Sequence, residues 1–260
     1  MNYGLYLSAG GALSSMYRQD VLANNLANMN TTAFKPDRVT TRERLPERLE
    51  GSVLTADPQW LLERLGGGLF MDPTRVDLAP AALTASASEL DFGIQGDGLF
   101  VVNDGRTVGP DHHRLTRDGR FALSARGELV TAADGHRVLD RSLQPIRLDP
   151  TAPVKVNGNG DVIQSGAIVS RIALRHVPDA GALEKLGDNL YRLRDGGDVA
   201  SLASATGSVR QNFTEASAVD PIQTMTAMLA AAKAAQSNLK MMQYHDQALG
   251  QAINTFGRVA

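Results

Sequence analysis

Both ends of this chain carry long apolar stripes at helical spacing, and any fold must find something to cover them. At the C-terminal end, Asp220, Pro221 and Gln223 form a start signal: a capping carboxylate, a proline at the first helical position and a glutamine three residues after the cap. The stripe then runs Ile222, Met225, Leu229, Ala232, Leu239, Met242, Leu249, Ile253 and Phe256. Its phase slips near residues 235–239, where a period of about 3.6 drifts against one of about 3.5. Gly257 is placed to cap the end. The spacing predicts one helix over residues 221–256, roughly 54 Å long at about 1.5 Å per residue. At the other end Leu5, Ala9, Ala12, Met16, Ala23 and Leu26 recur in steps of three and four, with Gln19 filling the one gap. Gly10 and Gly11 weaken that helix by roughly 1 kcal/mol each relative to alanine. Burying the large apolar residues of the C-terminal stripe would contribute on the order of 12–24 kcal/mol. A centre bounded by its own turns cannot cover two such rods. The stripes therefore meet each other, meet other copies of the chain, or stay uncovered.

The N-terminal helix runs out in "VLANNLANMNTTAFKPD", where Asn24, Asn25, Asn28 and Asn30 sit among apolar residues. Asparagine is a mediocre helix former. Asn28 lies four residues after Asn24 and three after Asn25, so the three form one patch. In a helix seam a polar amide fixes register at a cost in stability, whereas Asn28 and Asn30 also accept left-handed geometry at a helix end. A plain polar terminus is the competing reading, but Leu22, Leu26 and Phe34 carry apolar contacts through the patch.

The middle changes character. "HHRLTRDGRFALSARGELVTAADGHRVLDR" has glycines at 119, 127 and 135, and Asp118-Gly119 and Asp134-Gly135 are hairpin signals. Two short strands precede it, broken at Gly96-Asp97-Gly98, and three follow. The stretch "AGALEKLGDNLYRL" reads as a helical turn and a strand. The expected class is α+β: paired, coiled-coil-like terminal helices around a central, mostly antiparallel β domain. The expected division is a discontinuous helical domain at 1–35 and 216–260, a linker at 36–85 and a β domain at 86–215. The linker mixes arginines with glutamates and holds the sole tryptophan, Trp60, either a satellite-core residue or an interface anchor.

Sites for chemistry are not found. There is no nucleophile elbow, phosphate-binding loop or paired-histidine zinc motif. His112 and His113 are adjacent, so on a strand they face opposite ways. "NGNGD" at 157–161 reads as a tight turn, and "GIQGDG" is followed by no helix pattern. The chain has no cysteine, which excludes disulfides and cysteine-ligated metals. A formal net charge of −2 implies no general attraction to nucleic acid or anionic membrane. No apolar run is long enough for a membrane span, and the N-terminus lacks the pattern of a secretory signal. The expectation is a protein that is not an enzyme and uses no cofactor or metal.

"NNLANMNTTAFKPD" resembles the N-terminal signature of the bacterial flagellar basal-body rod and hook family, N-N-L-A-N-x-N-T-x-G-F-K. Asn24 to Asn28, Asn30, Thr31, Phe34 and Lys35 match, while Ala33 stands where the family has glycine, which puts a positive φ at this turn in question. "LDFGIQGDGLFVV", "RLTRDGRFALSARGELVTAADGHRVL", "LGDNLYR" and "VRQNFTEASAVDPIQTMTAMLAAAKAAQSN" are similar to further segments of the family, so the likeness spans nearly the whole chain. "LYLSAGGA" and "GDGLF" lean toward the proximal rod members over the distal ones.

The resemblance implies a structural subunit that pairs its terminal segments as an inner helical domain. Such a subunit leaves the cell unfolded through the flagellar type III export apparatus. It polymerises helically with copies of itself and with other rod and hook proteins, forming a torque-bearing shaft across the periplasm. Partners of this kind exclude nucleic acid and membrane insertion. On that reading the subunit interface falls on Leu5, Met16, Asn24, Asn25, Leu26, Asn28, Phe34, Trp60, Ile222, Met225, Leu229, Leu239, Met242, Leu249, Ile253 and Phe256. A β-domain binding module carried on a helical stalk is the alternative.

Overall fold

The computed structural model describes residues 3–44, 68–105 and 112–256. Trp60 and Gly257 lie outside the described residues. The chain divides into two compact units, one of Met1–Ala27, Asp37–Arg75 and Asp220–Ala260, the other of Asn28–Pro36 and Val76–Val219.

The first unit is built on two helices, α1 (Tyr3–Ala27) and α2 (Pro221–Phe256). The start of α2 follows from its cap. Asp220 Oδ1 accepts the N–H groups of Ile222 and Gln223 at 2.9 and 3.1 Å, satisfying two donors that have no partner within the helix. The helices pack side by side and antiparallel: Gly4 lies against His245, and Gly11, seven residues on, lies against Asn238, seven residues back. A Cβ on Gly11 would stand 2.9 Å from the Asn238 amide nitrogen. The glycine that weakens α1 as a helix thus allows a close crossing. The seam is lined by small side chains, with Ala12, Ala231 and Ala235 all buried. Beside α1, strands Thr41–Glu43 and Leu69–Met71 pair antiparallel, with Arg42 opposite Phe70. The guanidinium groups of Arg42 and Arg44 sit over the Phe70 ring at 5.6 and 5.3 Å.

The second unit is antiparallel β. Its main sheet runs, in spatial order, Leu183–Gly187, Leu190–Leu193, His113–Thr116, Leu99–Asn103, Arg137–Val138, Leu129–Thr131 and Phe121–Leu123. The strand Leu174–Arg175 also pairs with Leu99–Asn103. That central strand is buried along its whole length. Phe100 and Val102 enter one apolar cluster with Phe92, Phe121 and Leu129, and Leu99 and Val101 enter another with Leu115, Leu139 and Tyr191. Burial on both faces is why "LFVV" reads as a continuous apolar run and not an alternating one.

A three-stranded sheet follows (Lys155–Val156, Asp161–Gln164, Ala167–Arg171). The chain then returns as Ser208–Gln211 on Phe92–Gln95 and as Phe213–Glu215 on Leu83–Ala85. The turn at 157–161 is closed by Asn157 N–H donating to the Asp161 carbonyl at 3.1 Å, with Gly160 at φ 80°. Asp134-Gly135 makes the expected hairpin. Asp118-Gly119 does not: the strands on either side of it pair elsewhere. Gly119 serves instead as a crossing point, where a Cβ would lie 1.8 Å from the Phe92 carbonyl oxygen.

Candidate assembly surface

On α2 the large apolar side chains divide between the seam and the open face. Thr224, Met228, Ala231, Ala235, Asn238, Met242, His245 and Leu249 follow one line down the helix and are buried or half-buried. Ile222, Met225 and Leu229 stand on the opposite side and are 77%, 50% and 60% exposed. Leu239, Met241 and Tyr244 are also exposed. Ile253 continues the inward line yet is 70% exposed. Gly4 faces His245, so the described part of α1 ends near that level and the last turns of α2 run on past it. On α1, Tyr6, Leu13 and Met16 share the outer face and are exposed.

The expected interface residues therefore separate. Met16, Asn24, Ile222, Met225, Leu229, Leu239 and Ile253 are open, and Leu5, Leu26, Asn28, Met242 and Leu249 are half-buried. Phe256 is the last residue of α2. Asn25 and Phe34 are spent inside the chain. The Asn25 amide is 3% exposed and clasps the Asp37 backbone both ways, accepting its N–H at 3.0 Å and donating to its carbonyl at 2.9 Å. Phe34 is buried in the second unit, with Lys185 Nζ 4.3 Å from its ring centre. Tyr6, Leu13, Met241 and Tyr244 carry the same exposed character and fall outside the single stripe legible in sequence.

The family-like segments that are not helical meet at a buried ion cluster in the second unit. Glu215 is 2% exposed. One of its carboxylate oxygens accepts Lys35 Nζ at 2.7 Å and the Ala81 N–H at 2.7 Å, and the other accepts Arg117 Nε. Lys35 Nζ also donates to the Ala79 carbonyl at 2.6 Å. Arg117 donates to the carbonyls of Ile94, Gly96 and Gly98. Burial pulls the pKa of Lys35 down, and the hydrogen bond it donates to Glu215 opposes that. The backbone is joined here too: Ala33 N–H donates to the Glu215 carbonyl at 2.8 Å and Ala218 N–H to the Phe34 carbonyl at 3.0 Å. Ala33 keeps φ at 58° although it carries a Cβ. Lys35, "GDG", "TRDG" and "TEAS" are separate signals in sequence, and nothing in their spacing announces that they converge. Among the described residues no group of three or more acidic, histidine or cysteine side chains could hold a metal.

Three family descriptions match the chain: "Flagella basal body rod protein" over residues 6–35, "Flagellar hook protein FlgE/F/G D1 domain" over 93–164 and "Flagellar basal body rod FlgEFG protein C-terminal" over 210–255. The flagellar basal-body rod protein FlgF of Caulobacter vibrioides is 31% identical over 264 residues, covering 100% of both chains. The rod protein FlgG of Bacillus subtilis is 29% identical over 272 residues, covering 96% of this chain and 97% of that one. FlgF of Mesorhizobium japonicum is 27% identical over 264 residues, covering 99% of each.

Proposed function

The chain belongs to the flagellar basal-body rod protein family and is a structural, non-enzymatic subunit of the basal body; on that footing we propose that it polymerises through the outer faces of α1 and α2. The observation that carries this reading is the division of labour on α2. Ala231 and Ala235 are the buried residues of the seam, while Ile222, Met225, Leu229, Leu239 and Ile253 are left in water. Covering those five would contribute on the order of 5–10 kcal/mol before the entropy of association is subtracted. Several neighbours per subunit are then needed for a stable shaft, and a helical array supplies them. A contact between unlike faces that does not close on itself generates a filament.

In this reading, coiled-coil-like packing between copies extends the α1–α2 pair into a continuous inner layer. Other rod and hook proteins meet the same faces at the ends of the segment, and the export apparatus delivers the chain unfolded. The "LYLSAGGA" and "GDGLF" stretches favour the proximal rod position. No described helix is long and apolar enough to cross a membrane.

The test is Leu229→Glu and Ile222→Glu in a motile host lacking the native gene. The expected result is a folded monomer by circular dichroism, no incorporation into basal bodies and no motility. Normal incorporation of both variants would overturn the assignment of this face.

A further inference from the structure

A cleft of about 230 Å³ opens in the second unit, between the end of the strand Ala167–Arg171, the strand Leu174–Arg175 and residues 204–207. Its lining includes Arg141, Arg171 and Arg175 and no aspartate or glutamate. The adjoining carboxylates are already engaged. Asp161 accepts Arg171 Nε and, at 2.9 Å, Asn157 Nδ2, and Asp140 accepts the N–H groups of Ser142 and Gln144 at 2.8 and 2.9 Å. Among the described residues, Arg141 and Arg175 have no carboxylate partner, so the cleft keeps an excess of about two positive charges in a chain whose net charge is −2. Arg175 donates one Nη to the Leu202 carbonyl at 3.0 Å, yet its Nε is buried with no acceptor. Guanidinium forks match oxyanions in geometry, and Asn159, Ser204 and Thr206 add neutral donors on the same lining.

We propose that this cleft is a binding site for a multiply charged oxyanion, a phosphate or polycarboxylate group, held by Arg141, Arg171 and Arg175. It is separate from the helical faces assigned to assembly and does not depend on them. The test follows the arginine Nε–H resonances of the full chain by NMR, in the Leu229→Glu background to keep it monomeric, while sodium phosphate or citrate is added at constant ionic strength. The expected result is a saturable shift of the Arg175 Nε–H signal, with binding on the order of tenfold weaker in Arg141→Ala, a variant that removes an exposed side chain only. Arg126→Ala, at an exposed turn elsewhere, should leave the affinity unchanged. Saturation by phosphate alone identifies a phosphate ligand, and saturation by citrate alone a carboxylate one. No saturable shift at constant ionic strength, or shifts that are unaltered in Arg141→Ala and Arg175→Gln, would overturn the site.

Discussion

Ala33 occupies a left-handed position with its methyl group fully buried. The left-handed conformation costs a residue with a Cβ roughly 1–2 kcal/mol, but glycine would lose a buried methyl worth about 0.8 kcal/mol and add freedom to the unfolded chain. These terms nearly cancel, so Ala33→Gly is expected to change stability by less than about 1 kcal/mol in urea unfolding. A β-branched Ala33→Val, strained in backbone and side chain, should cost about 2 kcal/mol or more. Glu215 is less forgiving. Glu215→Gln leaves Lys35 and Arg117 buried without a counter-charge, with an expected loss of about 3–5 kcal/mol by the same measurement. His113 gives the fold a pH dependence. Its ring is buried with neither nitrogen hydrogen-bonded, and burial holds its pKa below the usual 6.5. The unfolded chain then binds a proton that the folded chain refuses, so stability falls as pH drops through about 6.5. In His113→Leu that decline between about pH 7 and pH 5.5 should flatten in thermal unfolding. A slope equal to that of the unsubstituted chain would show that another group titrates.

The helices show what could be read from sequence and what could not. The start of α2 was legible because a cap is a local signal: Asp220, Pro221 and Gln223 act within one turn. The central strands were legible for the same reason, since turn residues and apolar runs are local. The face of α2 that packs inward was not. Large apolar residues draw the eye to a stripe that starts at Ile222, Met225 and Leu229, but the inward line runs through Ala231, Ala235 and Asn238, with Asn238 against Gly11, so the first half of that stripe marks the outside and only Met242 and Leu249 of it turn inward. Asp118-Gly119 misleads similarly, because the residue types for a hairpin also suit a close crossing of two strands. The ion cluster was hidden altogether, since its members lie far apart in the chain. The seam makes its own prediction. Ala231→Leu or Ala235→Leu should overpack α1 against α2 and cost about 1–3 kcal/mol in the monomer. Leu229→Glu, on the open face, should change monomer stability by less than about 0.5 kcal/mol while abolishing assembly.

At the scale of the whole molecule, each of the two units has its own means of holding together. The second has two apolar clusters and the ion cluster, all supplied from residues 28–36 and 76–219. A chain of residues 28–219 is therefore expected to unfold cooperatively, with dispersed amide signals in NMR. Collapse of those signals would show that the helices are needed to complete its core. The order in which the pieces of that cluster arrive has a further consequence. Lys35 and Arg117 both precede Glu215 in the chain, and neither is neutralised until the carboxylate joins them. A copy that stops short of Glu215 holds two cations without their counter-charge, so truncation before residue 215 is expected to leave residues 28–214 unfolded by circular dichroism.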